Sequence, residues 1–93
     1  MRLNKNNIFY HELIGLFVEV LSHSDPTLVG RRGLIVDETL NTIVIVDSKS
    51  RKLVRIPKHY GVFQFFLPSN VWVTIDGTLL YGRPEDRLKK MGK

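Results

Sequence analysis

The sequence predicts a mainly β fold: a small, closed or nearly closed six-stranded antiparallel barrel, with a short helix at each end. Three observations carry this prediction. Apolar runs of strand length recur about every dozen residues with turn chemistry between them. The stretch Leu28 to Ile45 (LVGRRGLIVDETLNTIVI) joins two β-branched runs through the polar loop Asp37-Glu38-Thr39-Leu40-Asn41, the pattern of a hairpin. So many apolar strands in a chain of 93 residues would leave adhesive edges unless the sheet closed on itself.

The elements follow in order. Ile8 to Ile14 has mixed three- and four-residue apolar spacing, so a helix is expected there, capped by Asn6 or Asn7 and ended by Gly15. Leu16 to Ser22 alternates, with Leu16, Val18 and Val20 on one face. His23 to Thr27 is turn-rich, and Pro26 fixes φ within it. Gly30 and Gly33 bracket Arg31-Arg32, placing two cations where the chain bends sharply. Strand two is expected over Arg32 to Asp37 and strand three over Thr42 to Asp47; the latter lacks alternation, as a strand covered on both sides does. After the loop Asp47 to Ser50, strand four (Arg51 to Ile56) turns Val54 and Ile56 inward and Arg51, Leu53 and Arg55 outward. Strand five (Val62 to Leu67) offers Phe63, Phe65 and Leu67 to the core. Strand six (Val71 to Ile75) offers Val71, Val73 and Ile75, leaving Trp72 outward. Asp76-Gly77 marks a turn, and Pro84, Glu85, Asp86, Lys89 and Lys90 are ordered as in a helix that begins at Pro84. The expected organisation is a helical or mobile segment over 1–15, a barrel over 16–80 and a basic helix or tail over 81–93.

Composition narrows the function classes. Hydrophobic residues make up 43% of the chain, enough for one small core, and no apolar run approaches the ~18 residues of a membrane helix. The N-terminus lacks the apolar stretch and small-residue site of a secretory signal. There is no cysteine, so disulfides and thiol chemistry are excluded and a cytoplasmic setting is expected. The net charge is +5, from 14 Lys and Arg against 9 Asp and Glu. Lys49, Arg51, Lys52, Arg55 and Lys58 fall between Ser48 and Tyr60 without an acid. Clustered cations on a small domain point to a polyanion; a merely solvated surface is the competing reading.

Nothing resembles an active site. His11, His23 and His59 are far apart in sequence, without metal-ligand spacing. The acid pairs Asp37-Glu38 and Glu85-Asp86 suit a turn and a helix start, and no nucleophile or phosphate-loop motif is present. No catalytic residue and no metal ligand is therefore assigned. Nucleic-acid contacts are assigned to Arg31, Arg32, Arg51, Arg55 and Lys58, with Arg83, Arg87, Lys89 and Lys90 as a second group. Trp72 and Tyr60 point outward, to cover a partner or stack on a base. Ile8, Phe9, Tyr10 and Leu13, with Phe17 and Leu21 of strand one, are apolar enough to meet a protein partner; packing on their own barrel is the alternative.

HELIGL (His11 to Leu16), VLSHSDPTLVG (Val20 to Gly30), GLIVDETLNT (Gly33 to Thr42), FQFFLP (Phe63 to Pro68) and DGTLLYGRPEDRLKK (Asp76 to Lys90), taken in order, resemble the archaeal ribonuclease P protein component 1 family. The resemblance covers nearly the whole chain. It implies an Sm-like barrel subunit of the ribonucleoprotein that removes 5′ leaders from precursor tRNA. In that family the RNA subunit carries catalysis, with Mg²⁺ expected at its active site and no cofactor on the protein. The implied partners are ribonuclease P RNA, a zinc-ribbon subunit (component 4) and, through the holoenzyme, precursor tRNA; a monomer is expected in isolation. Few residues precede His11, so contacts made by longer N-terminal extensions in relatives are expected to be reduced. A ribosomal or translation-associated SH3-like module and a protein-binding adaptor barrel are the alternatives on residues alone.

Overall fold

The computed structural model of the chain describes Ile8 and residues 11–83. Six strands form one sheet: β1 (Phe17–His23), β2 (Arg32–Glu38), β3 (Thr42–Asp47), β4 (Leu53–Pro57), β5 (Gly61–Phe66) and β6 (Trp72–Asp76). Their order is β4-β3-β2-β1-β5-β6, and every neighbouring pair is antiparallel.

The alternation of side chains dictates the core. Val18, Val20, Ile35, Ile43, Ile45, Ile56, Phe63, Phe65, Val73 and Ile75 point to one side and meet in a single buried cluster with Leu16, Leu28, Leu67 and Leu80. A single sheet whose inner residues all pack on one another must curl around them. Bulges supply part of the bend: the register shifts between Val20 and Ser22 in the β1–β5 ladder and between Ile35 and Asp37 in the β2–β3 ladder. The free ends approach beyond the strands. A Cβ on Gly77, just after β6, would lie 1.7 Å from the carbonyl oxygen of Lys58, just after β4. Only glycine fits there.

Several expected boundaries move by one or two residues, each for a local reason. β4 starts at Leu53 because Arg51 has φ +64 and its N–H donates to Asp47 O at 2.8 Å, which makes it part of the turn. Val71 is exposed; its carbonyl accepts from Leu67 N at 2.9 Å and closes the loop ahead of β6. Val54 is only partly buried against the core that Ile56 joins.

The expected N-terminal helix is corrected. Residues 11–16 form turns and extended chain, bracketed by His11 N donating to Ile8 O and Leu16 N donating to Leu13 O. Gly15, at φ +94, donates to Ile35 O at 2.8 Å and so pins this segment to β2. Ile8 and Leu13 have no solvent exposure and belong to the barrel core, so they are not a docking surface; burial on their own barrel wins. Phe9 and Tyr10 lie outside the described residues, as does the C-terminal helix expected from Pro84. The helices that are described are 3-10 turns, Pro26–Leu28 and Gly77–Leu80. Each is capped by an aspartate: Asp25 accepts from Thr27 N at 3.0 Å and Asp76 from Thr78 N at 2.9 Å.

Candidate nucleic-acid interface

The two glycines of the arginine corner do different work. Gly30 adopts φ +86 and donates to Val20 O at 2.9 Å, turning the chain into β2. Gly33 lies against β3 so closely that a Cβ would sit 1.9 Å from Val46 O. Arg31 and Arg32 are thereby fixed at the start of β2, beside the β3–β4 turn. Ser48 N donates to Arg32 O at 2.8 Å, stitching the corner to that turn.

This contact brings Arg31, Arg32 and Lys49 around one open depression of about 750 Å³, whose lining includes Glu19, Asp47 and Ser48. Both acids have cationic neighbours. Asp47 pairs with the Arg31 guanidinium at 3.6 Å and accepts from Ser50 N at 2.8 Å; Glu19 stands opposite Arg32 in the β1–β2 register. The hydrogen bonds from Ser50, aided by Arg31, hold the Asp47 carboxyl below the usual carboxylate range. Arg31 Nε also donates to Thr27 O at 3.4 Å. The site is a cationic lip on a rigid frame.

Arg51 is exposed on the same turn, and Arg55 is exposed on β4 opposite Val44. Lys49, read only as part of the basic run, is the lining cation that the assignment of individual contacts passed over. Arg83 is exposed, but it follows Gly82, whose N–H donates to Leu40 O in the β2–β3 loop, at the opposite end of β2. Arg87, Lys89 and Lys90 lie outside the described residues. Leu21 is exposed, and the half-buried Phe17 sets its ring edge-on to Trp72 with centroids 6.3 Å apart.

Lys58 is a correction. It was expected to face solvent with Arg51 and Arg55, and it is fully buried. Its Nζ donates to Glu38 Oε2 at 2.6 Å, Thr39 O at 2.8 Å and Gly82 O at 2.7 Å. A desolvated ammonium is tolerated only when paired and hydrogen-bonded in this way. A phosphate cannot reach it, so it leaves the set of RNA contacts and becomes a tie between β2, the β4–β5 turn and the root of the C-terminal segment.

Among the described residues no three of His, Asp and Glu gather into a group that could hold a metal ion. No helix among them is long and apolar enough to cross a membrane. Fold and charge together define a small Sm-like β-barrel with a cationic lip at one end.

The family follows from comparison with known proteins. Residues 6–90 match the family described as Ribonuclease P/MRP, subunit p29, and the chain belongs to it. It is 50% identical over 91 residues to Ribonuclease P protein component 1 of Staphylothermus marinus, covering 98% of each chain. It is 50% identical over 93 residues, the full length of both, to the protein of that name from Desulfurococcus amylolyticus. A solved structure described as a homologue of human RNase P protein Rpp29 superposes with a TM-score of 0.59 at 40% identity, over 83% of this chain and 97% of the other. The chain is thus a protein subunit of the endoribonuclease ribonuclease P, as the resemblance implied.

Proposed function

We propose that this chain is a non-catalytic RNA-binding subunit that supports ribonuclease P RNA during removal of 5′ leaders from precursor tRNA. The observation that carries the reading is the grouping of Arg31, Arg32 and Lys49 on one lip, with Arg51 on the adjoining turn. These cations are held by backbone bonds that belong to the barrel, so they meet phosphates at little ordering cost. Arg55 extends the surface along β4, and Arg83, Arg87, Lys89 and Lys90 are the proposed second set of RNA contacts. Catalysis belongs to the RNA, with Mg²⁺ bound there and no cofactor on this chain. The zinc-ribbon subunit is the proposed protein partner and the cytoplasm the proposed setting. Leu21 remains exposed for that partner, whereas Ile8 and Leu13 are spent on the core.

A cleavage assay tests the division of labour. The purified chain with precursor tRNA and Mg²⁺ leaves the substrate intact, and the reconstituted holoenzyme cleaves it at the leader junction. Specific leader removal by the RNA-free chain, lost on a point substitution within it, would refute the proposal.

A further inference from the structure

An apolar row crosses the outer face of the barrel from edge to edge. Leu53 stands opposite Val46, Val46 opposite Leu34, and Leu34 opposite Phe17. Phe17 in turn stands opposite Phe66, and Phe66 opposite Trp72. Leu53, Leu34 and Trp72 are exposed. A solvated sheet face is ordinarily polar, and the adjacent row is so, through Arg32, Glu19, Gln64 and Thr74. The middle of the apolar row floors a shallow depression of about 370 Å³, lined by Phe17, Leu34, Val46, Asp47, Ser48 and Arg51. Asp47 and Ser48 also line the cationic depression, so the two share a wall.

Arg51 supplies an independent observation. Its φ of +64 is a left-handed conformation that glycine or asparagine takes at lower cost than a long side chain. The turn is held by Arg51 N donating to Asp47 O and by Ser50 N donating to the Asp47 carboxylate, neither of which needs a guanidinium. Strain kept where folding does not require it points to function. Here it sets an arginine on the rim of an apolar floor.

We propose that the paired depressions take an unpaired RNA nucleotide, its base laid on Leu34, Val46 and Phe17 against the Arg51 guanidinium. Its phosphate then sits among Arg31, Arg32 and Lys49. The proposal rests on the RNA-binding reading and sharpens it. A duplex buries its base faces and offers only backbone, so an apolar floor adds nothing to duplex binding; an unpaired base has a free π-face for apolar and guanidinium surfaces. The cations lining the adjoining depression favour this occupant over an apolar protein segment, which carries no charge for them to neutralise.

The test compares an unstructured RNA octanucleotide with an RNA duplex of the same length, using the full chain. Trp72 is the only tryptophan and touches Phe17, so its fluorescence reports on the floor. The single strand is expected to bind at least about fivefold more tightly than the duplex and to shift Trp72 emission. Leu34→Ser should remove that preference without altering the salt dependence. Arg51→Asn should remove it while leaving the unfolding midpoint unchanged or raised, which a structural role for Arg51 would not allow. Equal affinity for both RNAs with a silent Trp72 would overturn the nucleotide site and leave phosphate binding standing. Binding of neither RNA would overturn the RNA-binding reading as well. Trp72 responding only to the zinc-ribbon subunit, with no preference for the single strand, would assign the row to protein and also overturn the site.

Discussion

Lys58 shows how one side chain can organise the far end of the barrel. Its ammonium is shared among a carboxylate and the carbonyls of Thr39 and Gly82, all within 2.8 Å, and its side chain has no solvent exposure. Lys58→Met would remove the buried ammonium from Glu38 and from those two carbonyls. The expected cost is about 3–5 kcal/mol, read as a lowered denaturation midpoint. Replacing Glu38 and Lys58 together by methionine should recover part of it, because the carboxylate is removed along with the ammonium that pairs it; an unchanged midpoint in Lys58→Met would show that Lys58 is no such tie. The aspartates make a second prediction at this scale. Hydrogen bonds from Thr27, Ser50 and Thr78 hold Asp25, Asp47 and Asp76 respectively below their ordinary pKa. A carboxyl depressed in the folded state contributes stability that is fully present above the unfolded value, about 3.9. That contribution is lost as pH falls through the folded values. Stability should therefore be insensitive to these groups near neutrality and decline below about pH 4. Asp76→Asn should flatten that acid decline in pH-dependent urea denaturation, and an unaltered acid limb would show that Asp76 contributes nothing to it.

At the scale of elements, glycines set the geometry that carries the arginines. Alanine at Gly33 or Gly77 would drive a Cβ into backbone, at 1.9 Å from Val46 O and 1.7 Å from Lys58 O respectively. Alanine at Gly30 would meet open space and pay only for its left-handed φ, about 1–2 kcal/mol. Denaturant unfolding should accordingly rank Gly33→Ala and Gly77→Ala as more destabilising than Gly30→Ala. Equal effects would mean that the strand approaches at Gly33 and Gly77 relax without penalty.

The strands were legible in the sequence because alternation is a local signal: Phe63, Phe65 and Leu67 read as core and are fully buried. β3 also falls where expected, since Asn41 and Asp47 bound an unbroken β-branched run from Thr42 to Val46. The N-terminal segment was misread because helical spacing over seven residues is too weak to outweigh a bond from Gly15 to β2. Lys58 could not be read at all. A charge run does not tell which cation turns inward, and the deciding partner, Glu38, is twenty positions away in the first hairpin. The arginine corner was visible through its glycines. Its union with Lys49 was not, since it depends on the Ser48–Arg32 contact between strand ends.

For the whole molecule, the proposed role of the lip at the start of β2 is to hold ribonuclease P RNA. Phosphate contacts release counterions, so their number appears in the salt dependence of binding rather than in affinity alone. The positions are suited to the test because Arg32 and Lys49 are exposed and Arg31 is only partly covered. The most direct measurement is the log–log dependence of RNA affinity on salt, for the wild-type chain and for Arg31→Ala/Arg32→Ala/Lys49→Ala, with the fold of both verified by circular dichroism. This role requires weaker binding and a slope shallower by about 0.7–0.9 for each contact removed. An unchanged affinity and slope in a folded triple variant would contradict it.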